Sequence, residues 1–109
     1  MAFYLFQATY QIDQIKSMIG NPQDRSVAAR KLIEGLGGKL HHIFMSFGDY
    51  DLVAIIEVPD AATMAAGSMA VAAAGTTASC KTTPLLTMEE AKSAMEKSGI
   101  ATGYKPPSG

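Results

Sequence analysis

Residues 47–60, FGDYDLVAIIEVPD, constrain this chain more than any other stretch. Leu52 to Val58 is an unbroken run of strand-forming residues. Phe47-Gly48-Asp49-Tyr50-Asp51 in front of it reads as a tight turn. Glycine there supplies a positive φ, and aspartate can accept hydrogen bonds from nearby backbone amides. Pro59-Asp60 stops the strand and opens a helix. Lys39 to Phe47 is itself strand-like, mixing Leu40, Ile43 and Met45 with His41, His42 and Ser46. Two strands this close in sequence pair as an antiparallel hairpin, which fixes the middle of the fold.

The flanks supply the rest. Phe3 to Tyr10 is apolar or aromatic on both alternating sets and reads as a strand covered on both faces. Ile12, Ile15 and Ile19, with Met18, recur at helical spacing. Gly20-Asn21-Pro22 breaks that helix, and Asn21 is a candidate cap for a second one with Pro22 at its first position and Asp24 near its positive end. Val27, Ala28, Leu32, Ile33 and Leu36 form its apolar stripe, and Gly37-Gly38 ends it. A run of small residues from Ala61 to Ala74 makes a third helix, ended by Gly75. Thr76 to Leu86 is the last strand. Thr87 caps a final helix, Met88 to Lys97, with Glu90 placed as in a capping box.

The order is βαββαβα, an α+β arrangement of the ferredoxin-like kind: a four-stranded antiparallel sheet with helices on one face. At 109 residues the chain is one domain. It is expected to occupy residues 1–98, with a flexible tail at 99–109. Hydrophobic residues are 48% of the chain and charged residues only 17%. The sheet residues are apolar on both faces, and one face has no helices to cover it. An open apolar face of that size calls for a partner, and packing two sheets together across a two-fold axis supplies one. The expectation is a dimeric α/β barrel, a homodimer or higher homo-oligomer.

Composition also excludes. The net charge is −1 and no basic block occurs, so no nucleic acid partner is expected. Cys80 is the single cysteine, which leaves no internal disulfide and no cysteine metal cluster, and it reads as a small buried residue. No positively charged leader precedes an apolar core, and the Ala61–Gly75 stretch is too short to span a bilayer. A cytoplasmic protein with no membrane partner is expected, with no cofactor and no metal.

With these residues in place, the chain resembles the GYD family of small proteins of unassigned chemistry. The resemblance runs from about Phe3 to Lys97. Its carriers are Tyr4, Arg25 and Ala28, Gly37-Gly38-Lys39-Leu40, Phe47-Gly48-Asp49-Tyr50-Asp51, Pro59-Asp60, and Thr83-Pro84-Leu85-Leu86-Thr87. The resemblance implies a ferredoxin-like fold and a dimeric α/β barrel, and no known substrate. The Gly-Asp-Tyr-Asp hairpin also looks like the sensor domain of leucine-responsive regulators, which binds small effectors. No helix-turn-helix precedes it here, so a free-standing effector-binding module is the comparable reading.

The expected activity is binding of a small organic molecule in a cavity between sheet and helices. Tyr4, Phe6, Arg25, His42, Tyr50 and Asp51 are the candidate ligand-binding residues. Tyr10 and Phe44 extend the aromatic set. An alternative is a cofactor-independent enzyme, monooxygenase- or isomerase-like, that moves protons with His41, His42 or Tyr4 beside Asp51. A third reading is purely structural assembly. His41 and His42 are adjacent on a strand, so they are expected to point to opposite faces. The small-residue helix reads either as a second packing surface or as a high-propensity helix lying flat on the sheet.

Overall fold

The structure is a computed structural model that describes residues 1–100 and 103–108. Its elements are β1 (Ala2–Tyr10), α1 (Ile12–Gly20), α2 (Ser26–Gly35), β2 (Lys39–Met45), β3 (Leu52–Val58), α3 (Ala61–Ala73), β4 (Thr77–Leu85) and α4 (Met88–Ile100). The strands form one antiparallel sheet in the order β2-β3-β1-β4. This is the ferredoxin-like α+β arrangement expected from the element order. Pro84 is tolerated in β4 because that strand is an edge.

Alternation assigns the two faces. Tyr4, Phe6, Ala8 and Tyr10 of β1 and Ala54, Ile56 and Val58 of β3 are buried beneath α2 and α3, with Ile33 and Met64 from the helices. The odd-numbered residues, Phe3 and Leu5 paired with Glu57 and Ile55, lie on the opposite, open face. Each core side chain withdraws apolar surface worth about 1.5–3 kcal/mol.

Helix ends follow local chemistry. Asp60 caps α3, its Oδ1 accepting from the Thr63 amide at 2.8 Å and from the Thr63 hydroxyl at 2.7 Å. These bonds hold the Asp60 carboxyl below its ordinary range. Thr87 and Glu90 form the expected capping box, each side chain bonding the other's backbone amide at 3.0 Å. The exit of α2 is a Schellman motif: the Gly38 amide donates to Ile33 O at 2.9 Å, the Gly37 amide to Glu34 O at 3.0 Å, and Gly37 has φ 78°.

The start of α2 differs from the sequence expectation. The helix begins at Ser26, not behind an Asn21 cap. Asp24 Oδ1 accepts from the Ser26 amide at 2.9 Å and from its hydroxyl at 2.6 Å, and this local turn displaces the Asn21–Pro22 start. Val27, expected in the apolar stripe, is 69% exposed. At 3.6 residues per turn it lies about 120° around the helix from Ile33. α1 buries none of its residues, and Ile12 and Ile19 face outward. α4 continues through Gly99 to Ile100, past the Lys97 end expected. The proposed tail therefore starts inside a helix and otherwise lies partly outside the described residues.

α4 buries nothing, and no element packs against it beyond a glancing contact. The radius of gyration is 17.6 Å, against about 13 Å for a compact chain of this length. No helix among the described residues is long and apolar enough to cross a membrane.

Candidate functional site

Between the sheet and the helices lies a cavity of about 280 Å³. Phe6, Ile43, Leu52 and Ile56 form its floor, Leu32 and Ile33 one wall, and Gly67, Ala70, Val71 and Ala74 of α3 the roof. The void follows directly from the composition of α3. Its facing side chains are too short to fill the space between a helix layer and a sheet. The small-residue run therefore shapes a cavity rather than only lying flat or presenting a packing surface.

One end of this apolar space is polar. Tyr10, Arg25, Thr76 and Thr77 supply its polar groups. Tyr10 is 5% exposed. Burial pushes its phenol above the usual value near 10. The Arg25 guanidinium beside it opposes that shift by its charge, and Asp51 adds to it weakly. Because the folded-state value is raised, the stabilisation is complete below the unfolded value and is lost as pH rises through the folded one. Stability is therefore expected to fall above pH ~10 more steeply in the native chain than in Tyr10→Phe. Melting temperatures at pH 8 to 11 for both proteins check this; parallel curves would contradict it.

The sequence candidates separate on the structure. Phe6 and Arg25 line the cavity. Tyr4 is buried on the same face but belongs to the packed core and does not line it. Tyr50 and Asp51 do not line it either. They belong to the connection between β2 and β3, which folds back on the end of β1. The Asp51 amide donates to Ala8 O at 2.9 Å, and its carboxylate accepts from the Tyr10 amide at 3.0 Å. Ser46 closes the loop, its amide donating to Asp51 O and its hydroxyl to Tyr50 O. Asp51→Ala strands the Tyr10 amide and is expected to lose about 1–3 kcal/mol. Asp51→Asn keeps an acceptor and should lose less, as urea denaturation would read.

Gly48 corrects a second reading. The positive-φ glycines among the described residues are Gly37 and Gly75, and Gly48 is not one of them. A Cβ at Gly48 would meet nothing within 4 Å. The loop is a longer connection held by Ser46 and Asp51, so it does not need the left-handed glycine of a two-residue turn. Phe47 at its tip is fully exposed.

The histidines also depart from simple alternation. The β2–β3 register shifts between Leu40 and His42, so His41 is an extra residue in the strand. His41 lies tilted against Phe3, ring centroids 5.4 Å apart, and its Nε2 lies 2.8 Å from Glu57 Oε1. His42 pairs with Ile55 and stacks with Phe44 at 6.2 Å. Both histidines thus share the open face, and the sheet separates them from the cavity. Among the described residues no group of three His, Cys, Asp or Glu side chains is placed to hold a metal ion. Cys80, expected to be buried, is exposed on edge strand β4, 3.2 Å from the Thr77 hydroxyl.

A ferredoxin-like module with an apolar cavity beneath its helices, polar at one end and with its opposite sheet face open, is the class that this fold and site define. The chain matches the GYD domain over residues 4–95, and it belongs to that family. No curated protein and no solved structure matches it.

Proposed function

We propose that this chain is a homodimeric module that binds a small apolar organic molecule in the cavity between its sheet and its helices. The observation that carries the reading is the cavity itself, roofed by residues too small to fill it. Its volume is near the low end of the roughly 300–1,000 Å³ common to ligand pockets. A proton-transferring enzyme built on His41 or His42 fits less well, because both rings lie across the sheet from the cavity.

The dimer reading rests on unburied area. The chain exposes 7572 Å², against about 5,800 Å² for a compact monomer of 11.5 kDa. The surplus exceeds the ~800 Å² that each partner contributes to an ordinary interface. It includes apolar groups of the open face and α4, among them Phe44, Met88 and Met95, which are 64%, 83% and 72% exposed. A second copy placed on this face covers both sheets at once.

Occupancy is tested by thermal melting with 1-octanol as the probe. Binding at ten times Kd adds about 1.4 kcal/mol to stability, which raises Tm by roughly 5 °C or more for a domain this size. Ala29→Phe, which puts a ring into the cavity from α2, should abolish the shift while the free protein still melts cooperatively. No shift in the native chain, or an equal shift in Ala29→Phe, would overturn the reading.

A further inference from the structure

The charge pattern inside the cavity narrows the ligand. Among the described residues Arg25 is the one formally charged side chain that lines it, and no carboxylate, lysine or histidine joins it there. Its Nη1 donates to Gln23 Oε1 at 3.0 Å. A guanidinium carries five N–H donors, so this neutral contact leaves most of them unused. Among the described residues no carboxylate lies within 4.0 Å of it. The cation therefore stands at an apolar void without a counter-charge.

Its surroundings mark where a polar group would sit. Tyr10, Arg25 and Thr76 line the main cavity and also a small adjoining cleft of about 30 Å³, whose other walls include Gln14, Ser17 and Gln23. That cleft has room for about one water molecule. The two voids thus meet at a guanidinium and a phenol, with apolar walls on one side and amide and hydroxyl groups on the other. Thr76 is fixed there because its carbonyl accepts from the Gln11 amide at 3.0 Å, which ties the start of β4 to the start of α1.

From this geometry we infer that the ligand is an apolar monocarboxylic acid, its carboxylate held by Arg25 and Tyr10 and its hydrocarbon body in the cavity. The inference rests on the cavity-binding reading above. A carboxylate matches the planar fork of a guanidinium and accepts from a phenol hydroxyl. An amine would meet Arg25 as a like charge, and a neutral hydrocarbon would desolvate the guanidinium without pairing it. A second acidic group would find no second cation. A cavity of roughly 150 Å³ accepts benzene, so this one has room for one ring with a short chain, or an alkyl chain of comparable bulk.

The test compares sodium octanoate, 1-octanol and octylamine by titration calorimetry at pH 7.5, against the native protein, Arg25→Gln, Arg25→Lys and Tyr10→Phe. The native protein should bind octanoate at least tenfold tighter than octanol, with octylamine weakest. Arg25→Gln should bring octanoate down to the level of octanol. Arg25→Lys should restore part of the preference, and Tyr10→Phe should lose part of it. Cooperative thermal melting serves as the fold check for each variant. Should a variant fail that check, the native preference is read instead at pH 7.5 and pH 4, where protonation of octanoate should erase it. Equal native affinities for octanoate and octanol would overturn the acid assignment and leave the cavity reading standing. Binding of neither would overturn both.

Discussion

Gly38→Ala is expected to destabilise this fold by about 3 kcal/mol or more. A Cβ at Gly38 would overlap the carbonyl oxygen of Glu57 and stand 2.8 Å from Val58 Cγ1 and 3.1 Å from Ile33 Cγ2. None of these neighbours can yield cheaply. Glu57 O belongs to the backbone of a central strand, Val58 is fully buried, and Ile33 is in the core. Gly38 also donates the bond of the Schellman motif that reaches furthest back, to Ile33 O, so a shift at this residue pulls on the end of α2 as well. With typical domain stabilities of about 5–15 kcal/mol, such a loss removes a large share of the total. Urea denaturation should show a lower midpoint at unchanged slope. Gly37→Ala, which places an alanine at φ 78°, should lose only about 1–2 kcal/mol. Gly20→Ala should be nearly silent, since a Cβ there meets nothing within 4 Å. A Gly38→Ala loss of a few tenths of a kcal/mol would contradict the geometry.

The second large effect concerns assembly. Ile55 lies on the open face, in the middle of the sheet, directly opposite Leu5 on β1. In the proposed dimer this pair sits near the centre of the interface. Ile55→Lys would bury an ammonium there with no acidic partner of its own, at a penalty of about 3–5 kcal/mol. That corresponds to a rise in the dimer's Kd of roughly a hundredfold or more. Sedimentation equilibrium at micromolar concentration should find about 23 kDa, twice the 11.5 kDa chain, for the native protein and the single chain mass for the variant. The cavity is on the other side of the sheet, so octanol binding by the variant reports whether its fold is intact. A native protein that sediments at 11.5 kDa would remove the dimer from the proposal.

The open face explains why some residues of this chain are hard to read singly. Phe3, His41 and Glu57 form a half-buried cluster on it, in which Glu57 accepts a charge-assisted bond whenever His41 is protonated. Covering that cluster with a second sheet would desolvate the pair, and buried pairs of this kind serve to fix register better than to add stability. The register shift beside His41 puts His42 on the same face as this cluster. Strict alternation from buried Leu40 would leave His41 on the open face and turn His42 to the helix side.

Several features were legible in the sequence because their causes are local. The Pro59-Asp60 stop, the Thr87–Glu90 box and the Gly37-Gly38 helix exit each depend on residues within a few positions of one another, and each formed as read. Strand alternation in β1 and β3 gave the two faces of the sheet, because a pleated strand has period two whatever it packs against. Phe6 and Arg25 line the cavity, Phe6 from an inward strand position and Arg25 from the start of the covering helix.

What the sequence by itself determined, then, is the element order, the sheet and which strand faces are apolar. The tertiary structure alone decided the site. Whether the small residues of α3 leave a void depends on the distance between two layers, and no short-range pattern encodes that distance. The role of Asp51 as a support for the Tyr10 amide depends on two segments 41 residues apart meeting. The shared face of His41 and His42 depends on a register shift set by the pairing with β3. Local chemistry acts over a few residues and is written in them; cavities, cross-chain supports and register arise only when distant segments are brought together.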